Sequence, residues 1–343
     1  RPAAVALQQF RDFAHIAYNG QRRAAMSTTP LFDQRPPFDR RRLAEALRRL
    51  AAENIFIGTS SWKYEGWIGQ IYTRERYLAR GSFSPKLFAA ACLGEYAETF
   101  PAVGGDFSFY QFPTEDYWNR LFASAPASLK FGLKVPEQIT VKTFPSHARY
   151  AARAGEVNAS YLDAGLFAEA FLRPLAPYRD RIAALILEFG TFSRASYAAA
   201  GEFLADLDRF LAALPGGFRY SVEVRNPEYL GAGYFDCLTR HGVAHVFNAW
   251  TRMPDLRAQL RFAEAFTAGF TVCRALLRRG RGYEQAVKLF SPYEETKDPN
   301  PDGREALRSL IETARQNRRA AFIFVNNRFE GNAPRTIEAV VGD

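Results

Sequence analysis

The segment Ile182-Ala-Ala-Leu-Ile-Leu-Glu-Phe189 is followed by a helical pattern over residues 194–213 and then by Phe218-Arg-Tyr-Ser-Val-Glu-Val224. Short runs of β-branched and aromatic residues predict strands, and the apolar spacing between the two runs predicts a helix. A strand, a helix and a second strand in this order are typical of a parallel sheet. This stretch therefore places the chain in the α/β class.

The same alternation continues along the chain in both directions, with helical patterns between most of the strand-like runs. The other predicted strands are Ile55–Thr59, Phe107–Phe109, Leu129–Val135, Val243–Phe247, Phe270–Arg274 and Ala321–Val325. Eight strands of this kind predict a (β/α)8 TIM-like barrel with an N-terminal helical extension. The closed barrel is favoured over an open doubly wound sheet because the sequence has no Gly-x-Gly-x-x-Gly turn and no Walker loop.

The 343 residues, 48% of them hydrophobic, suit one large domain. Residues 1–38 are predicted to form an arm and linker that is weakly ordered, and residues 39–343 a single barrel domain. Residues 275–302 are predicted to form an insertion over one mouth of the barrel, either ordered or a flexible flap. No apolar run is long enough for a membrane helix, and three scattered cysteines favour a soluble, reduced, cytoplasmic protein.

The formal charge of +9 suggests a nucleic-acid partner until the charges are located along the chain. Residues 1–49 hold ten Arg and four acidic residues, so this short segment accounts for +6 of the total. The rest of the chain carries little excess charge, and we interpret the basic runs as solvated helix faces. Nucleic acid is therefore a possible partner that the charge distribution does not favour.

Residues that do chemistry in a barrel leave the carboxyl ends of its strands. Those ends carry polar, charged and aromatic side chains, in chain order Trp62, Tyr64, Trp67, Tyr110, Lys134, His147, Glu188, Glu223, Arg225, Arg274, Asn326 and Asn327. We take Glu223, Lys134 and Glu188 as candidate catalytic residues and the others as candidate substrate-binding residues.

Glu223 and Arg225 lie two apart on one predicted strand, so their side chains point the same way. They form either an ion pair that plugs the barrel, or a functional pair in which Arg225 holds an anionic group and Glu223 is the acid or base. Lys134 is predicted to be an anion ligand or, less favoured, a Schiff-base amine. Two cations with one carboxylate predict a net positive pocket.

Glu188 together with Glu223 would give the two carboxylates that glycoside hydrolysis uses. Aromatic side chains at the same end would either stack on a sugar ring or base, or pack at the barrel rim. The candidates are Trp62, Tyr64, Trp67 and Tyr110. Asn326 and Asn327 offer amides to a ligand or form the turn that leaves the last strand.

A metal site has little support in the sequence. Of the four histidines only His147 is well placed for one, and there is no His-Glu-x-x-His pattern. Magnesium bound by Asp106, Glu188 and Glu223 is possible but unsupported. We therefore expect no cofactor.

Taken in order, the strand-end motifs resemble the YecE-like family (domain of unknown function 72), over about residues 55–340. The motifs are Gly58-Thr-Ser-x-Trp-x-Tyr-x-x-Trp67, Tyr96-Ala-Glu-Thr-Phe100, Phe109-Tyr-x-x-Pro113, Phe131-x-x-Lys134 with Ile139-Thr140, Glu223-Val-Arg-Asn226, Asn326-Asn327 and Gly331-x-Ala333. The resemblance implies a TIM-like barrel with a polar pocket at its carboxyl-terminal mouth. It implies no reaction.

The sequence departs from that family at two places. Val103-Gly104-Gly105-Asp106 stands where the family usually has Val-Glu-x-Asn, so a carboxylate is missing at Gly104 and Asp106 replaces an amide. Glu188-Phe189-Gly190 replaces a Gln-Pro-Pro turn, and Glu188 would restore the lost charge on a neighbouring strand.

Two hypotheses follow from the sequence. The first is a hydrolase or lyase that acts on a small anionic or sugar-like substrate at the mouth. The second is a barrel without turnover that binds a small ligand or nucleic acid. The oligomeric state is left open.

Overall fold

A computed structural model describes residues 37–146 and 148–342 of the chain. The predicted arm over residues 1–38 therefore lies almost entirely outside the described residues, and so does His147. Eight parallel strands close into a barrel. They are β1 (Ile55–Thr59), β4 (Ala102–Gly105), β5 (Lys130–Lys134), β6 (Ile182–Phe189), β7 (Tyr220–Val224), β8 (Ala244–Ala249), β9 (Phe270–Ala275) and β10 (Ala320–Val325).

Each barrel strand pairs with the next one along the chain, and β10 closes the ring by pairing with β1. A two-stranded hairpin, β2 (Leu78–Ala79) and β3 (Ser82–Phe83), lies between β1 and β4. The helices are α1 (Arg40–Ala52), α2 (Pro85–Ala97), α3 (Glu115–Ala123), α4 (Glu137–Thr140), α5 (Ala164–Phe167), α6 (Arg173–Leu175), α7 (Ala200–Ala212), α8 (Ala232–Arg240), α9 (Leu256–Gln259), α10 (Tyr283–Phe290), α11 (Pro301–Gln316) and α12 (Ala333–Val341).

The core has two layers because the side chains of each strand alternate between its two faces. The larger layer lies between the strands and the surrounding helices. The smaller one fills the barrel with residues such as Ile186, Val246, Val272, Phe322 and Phe324. The barrel is therefore a packed core, and only its two ends are open to ligands.

The predicted barrel is confirmed, but its second strand was placed wrongly. Phe107–Phe109 forms a 3-10 turn, and the strand is Ala102–Gly105. Two glycines hid it, since glycine disfavours strands in general. Here the packing needs them: a Cβ on Gly104 would lie 3.0 Å from the Cα of Ser60, and one on Gly105 would lie 2.6 Å from the ring of Phe107. The ends of the other seven predicted strands are at most two residues away from those observed.

The segment 275–302 is an ordered insertion, which answers the alternative that the sequence left open. It contains α10, and its Tyr293 ring packs edge-on against Tyr64 near the mouth. Arg278 and Arg281 both pair with Asp298 inside the segment. In the part of the chain that the structure describes, no helix has the length and apolarity needed to cross a membrane.

Gly58 is where two barrel strands approach too closely for any side chain. A Cβ there would lie 1.7 Å from the carbonyl oxygen of Ala102, its partner across β1 and β4. We expect Gly58→Ala to lower the free energy of unfolding by about 3 kcal/mol, the upper part of the usual range for overpacking. Gly201→Ala is the control, because a Cβ on Gly201 meets nothing within 4 Å. Denaturant unfolding of both variants measures this, and equal stabilities would contradict the close approach.

Candidate functional site

Six charged side chains meet at the carboxyl end of the barrel, which we call the mouth. We call them the charge cluster: Asp106, Lys134, Glu188, Glu223, Arg225 and Arg274. Each lies at or just after the end of its strand, and parallel strands end on the same side. Five of the predicted site residues are thus brought together, with Asp106 as the sixth member.

Arg274 on β9 lies at the centre of the charge cluster and is almost fully buried. Its Nη1 donates to Glu188 Oε2 at 2.6 Å and also to Glu223 Oε2, while Nη2 lies 3.3 Å from Asp106 Oδ1. Burial alone would lower the pKa of Arg274, but the three carboxylates raise it well above its usual range. A single permanently charged guanidinium therefore holds three carboxylates.

Glu188 on β6 is the most heavily paired carboxylate. Its Oε2 lies 2.9 Å from Arg225 Nη2 and 3.0 Å from Lys134 Nζ, in addition to the contact with Arg274. Burial opposes ionisation of Glu188, but Arg225, Lys134 and Arg274 together hold its pKa well below the usual range. Glu188 is therefore ionised at neutral pH.

Glu223 on β7 has no exposed surface. Its Oε1 accepts from Nε and Nη2 of Arg225, both at 3.3 Å, and its Oε2 accepts from Arg274. Lys134 reaches Glu188 and, at 3.8 Å, Asp106. The cluster thus holds three cations and three carboxylates, and its formal charges balance. The sequence led us to expect a net positive pocket because it did not place Asp106 and Glu188 beside these cations.

Aromatic rings cover the outer side of two of the cations. Lys134 Nζ lies 3.8 Å above the ring centre of Phe109, and Arg225 Cζ lies 3.8 Å above that of Trp250. Trp250 was missed in the sequence, although it directly follows β8. Asp106, whose side chain is 40% exposed, is the most open member of the cluster. Cation–ring contacts hold the cations in place without neutralising them.

The predicted aromatic residues lie at the same end but at different depths. Trp67 is fully buried and stacks on Tyr72, whereas Trp62 packs edge-on against Phe107. Tyr64 packs on Trp67, and burial raises its pKa to about 12. Tyr110 is 49% exposed. Of these four side chains, Tyr110 offers by far the most surface to a ligand.

Asn326 and Asn327 form the turn after β10. The side chain of Asn326 accepts from the backbone N–H of Arg328, and that of Asn327 accepts from the N–H of Ala333. Arg328 lies over the ring of Tyr283 at 4.4 Å, and its Nε has no hydrogen-bond partner among the described residues. Burial lowers and the neighbouring Tyr64 raises the pKa of Arg328, which is raised overall. A fourth cation therefore lies near the charge cluster.

The carboxylates of the mouth converge on a guanidinium. Glu188, Glu223 and Asp106 all contact Arg274, so a magnesium ion bound by the three would have to displace a buried arginine. The geometry therefore does not favour magnesium there. Elsewhere in the described part, Asp208, Cys237 and His241 bring one ligand atom each within 4.8 Å of one another.

That second group is already paired. Asp208 lies 2.8 Å from His241 Nε2 and 3.0 Å from Arg240 Nη2, and burial raises the pKa of Cys237 to about 11. We assign it to the packing of α7 against α8.

Arg274→Met should destabilise the fold strongly, because it leaves Glu188 and Glu223 side by side without their shared donor. We expect a loss of roughly 3–5 kcal/mol at pH 7 in denaturant unfolding. Without Arg274 the pKa of Glu188 rises, so the deficit is complete where Glu188 is ionised and is lost as the pH falls through that raised pKa. The deficit should therefore be smaller at acidic pH than at pH 7.

Arg278→Met is the matched control, since its pair with Asp298 is partly exposed and should contribute less than about 1 kcal/mol. Equal losses in the two variants, or a deficit at Arg274 that does not change with pH, would contradict the described cluster.

The structure is similar to that of a DUF72 family protein from Thermotoga maritima, with a TM-score of 0.54 and 17% identity, covering 83% of this chain and 97% of that one. A DUF72 family protein from Enterococcus faecalis gives a TM-score of 0.55 at 16% identity, covering 84% and 96%. No curated protein matches the chain. The family model described as "Protein of unknown function DUF72" matches residues 56–342, and the chain therefore belongs to the DUF72 family.

Proposed function

We propose that the mouth binds a small anionic substrate and that Glu188 or Glu223 takes a proton from a carbon atom of it. In the elimination that defines a lyase, the electron pair of that C–H bond forms a double bond to the neighbouring carbon as a leaving group departs from that carbon with its own bonding pair. The observation that carries the proposal is the buried charge cluster itself, in which three cations are shared by three carboxylates. Replacing such a cluster by apolar residues is often neutral or stabilising. Its position at the end of a barrel where active sites lie favours a role in function.

Asp106 is the member that a ligand is best placed to replace. Its contact with Lys134, 3.8 Å, is the longest of the cluster, its contact with Arg274 is 3.3 Å, and it is the most exposed carboxylate. A carboxylate or phosphate group of a substrate would take over these two cations when Asp106 turns outward. The planar fork of Arg274 and the point charge of Lys134 suit either group.

An incoming anion would also change the basicity of Glu188. The pKa of this carboxyl is low because Arg225, Lys134 and Arg274 surround it. An anion that engages Lys134 or Arg274 weakens that stabilisation, so the pKa of Glu188 rises and the carboxylate becomes a better base. Substrate binding would in this way activate the base, with Glu223 stabilising the guanidinium groups next to it.

Hydrolysis of a glycoside is less well supported by the same contacts. That reaction needs one protonated carboxyl to act as the acid. Glu188 and Glu223 share Arg274 Nη1 as a donor and both contact Arg225, and the cations around Glu188 hold its pKa well below the usual range. A sugar acid remains within the proposal, because the aromatic rings of Trp250 and Tyr110 flank the mouth.

Nucleic-acid binding has less support still. Three arginines of the basic runs already form ion pairs: Arg278 and Arg281 with Asp298, and Arg40 with Glu95 and Glu98. A paired arginine must leave its carboxylate before it can neutralise a phosphate and release the counterion held there.

Calorimetry with phosphate and with a small dicarboxylate tests the binding step. We expect the wild type to bind one anion per mouth. Lys134→Met should lose at least about tenfold in affinity, because it removes one of the two cations that the anion takes over from Asp106. Lys142→Met is the control, because Lys142 also lies over a ring (Tyr197, 3.4 Å) and pairs with an aspartate.

Arg225→Ala separates a functional cluster from a structural plug. If the cluster binds anions, this variant loses affinity and Glu188 keeps Lys134 and Arg274 as partners. Destabilisation of several kcal/mol in denaturant unfolding, together with no anion binding by the wild type, would show a plug and refute the proposal.

A further inference from the structure

The opposite, amino end of the barrel is open as well. It contains a cavity of about 590 Å³, within the size range of small-molecule sites. The lining comes from the starts of the barrel strands and the turns before them: Asn54, Phe56, Lys130, Arg179, Asp180, Ile182, Gly217, Phe218, Arg219, Ala320 and Phe322. None of these residues belongs to the charge cluster. Ile182 begins β6 and Glu188 is near its end, so the two ends lie about 20 Å apart at the usual rise per residue.

Three cations line this cavity against one carboxylate. Lys130, Arg179 and Arg219 form no ion pair with any described residue, and neither does Asp180. The contacts of the cations are to backbone oxygens: Lys130 Nζ donates to the carbonyl of Asp180 at 2.7 Å, and Arg219 Nη1 to that of Ile182 at 3.4 Å. These contacts position the side chains and leave their charges without a counter-charge.

Aromatic rings hold the two guanidinium groups over the apolar wall of the cavity. Arg179 Cζ lies 5.0 Å from the ring centre of Phe218, and Arg219 Cζ lies 5.6 Å from that of Phe322. The buried Phe322 stacks on the half-buried Phe56 at 5.5 Å and fixes its plane, so Phe56 is the ring that faces the cavity. The cavity therefore combines two forked donors, a third cation and a planar apolar surface.

The buried Arg274 at the mouth is paired with carboxylates, whereas Arg179 and Arg219 at the amino end are exposed and have no ion pair among the described residues. Three like charges around one cavity repel one another and concentrate a positive potential there. A bound anion would neutralise that potential.

We propose that the amino-end cavity is a second binding site, for a small molecule that carries a di- or triphosphate on a planar ring, as a nucleoside diphosphate does. Arg179 and Arg219 hold the phosphates with their forked donors, Lys130 adds the third positive charge, and the ring lies against Phe56. The site is independent of the function proposed for the mouth.

Calorimetry with pyrophosphate and with ADP tests this site, in a Lys134→Met background in which anion binding at the mouth is weakened. We expect saturable binding of one molecule at 0.15 M salt, with ADP bound more tightly than pyrophosphate because of its ring. The double change Arg179→Gln and Arg219→Gln should weaken both by at least about tenfold. Both side chains are exposed, so the variant should fold.

Arg257→Gln is the control, since Arg257 is an exposed arginine outside the cavity. No saturable binding of either probe, or binding that the double change leaves unaltered, would overturn the site. Equal affinities for ADP and pyrophosphate would overturn the assignment of the ring. Loss of anion binding at the mouth alone would affect only the function proposed there.

Discussion

The buried guanidinium of Arg274 is the interaction on which the mouth of this barrel depends. It contacts Glu188, Glu223 and Asp106, which come from three other strands or from the turns after them. Desolvating Arg274 together with Glu188 and Glu223 is tolerable only when the remaining charges are also paired. Lys134 and Arg225 supply that pairing, and the rings of Phe109 and Trp250 keep the two cations in position.

The same balance makes the mouth responsive to an anion. In a neutral cluster each carboxylate competes for shared cations, so an added negative group must displace one carboxylate or weaken its pairing. Asp106 is exposed and loosely held, whereas Glu223 is fully buried. We therefore expect the ligand anion to displace Asp106 first. The anion then lowers the positive potential at Glu188.

Much of this could be read from the sequence because the barrel repeats one unit. Alternating strands and helices gave the fold, and strand ends gave Lys134, Glu188, Glu223, Arg225 and Arg274. The second strand was hidden because it contains two glycines, which strand propensities disfavour. These glycines are required by close contacts with Ser60 and Phe107, and such contacts appear only in the folded structure. Charge balance at the mouth was also missed, since only the three-dimensional arrangement shows how many carboxylates share Arg274.

The affinity of the Asp106→Asn protein for phosphate tests the account most directly. The change removes the negative charge that occupies Lys134 and Arg274 but keeps the size of the side chain, so the cluster gains a net positive charge. The account predicts that phosphate binds at least about tenfold more tightly than to the wild type, equivalent to about 1.4 kcal/mol. An unchanged or weaker affinity would contradict the claim that a ligand anion takes the place of Asp106.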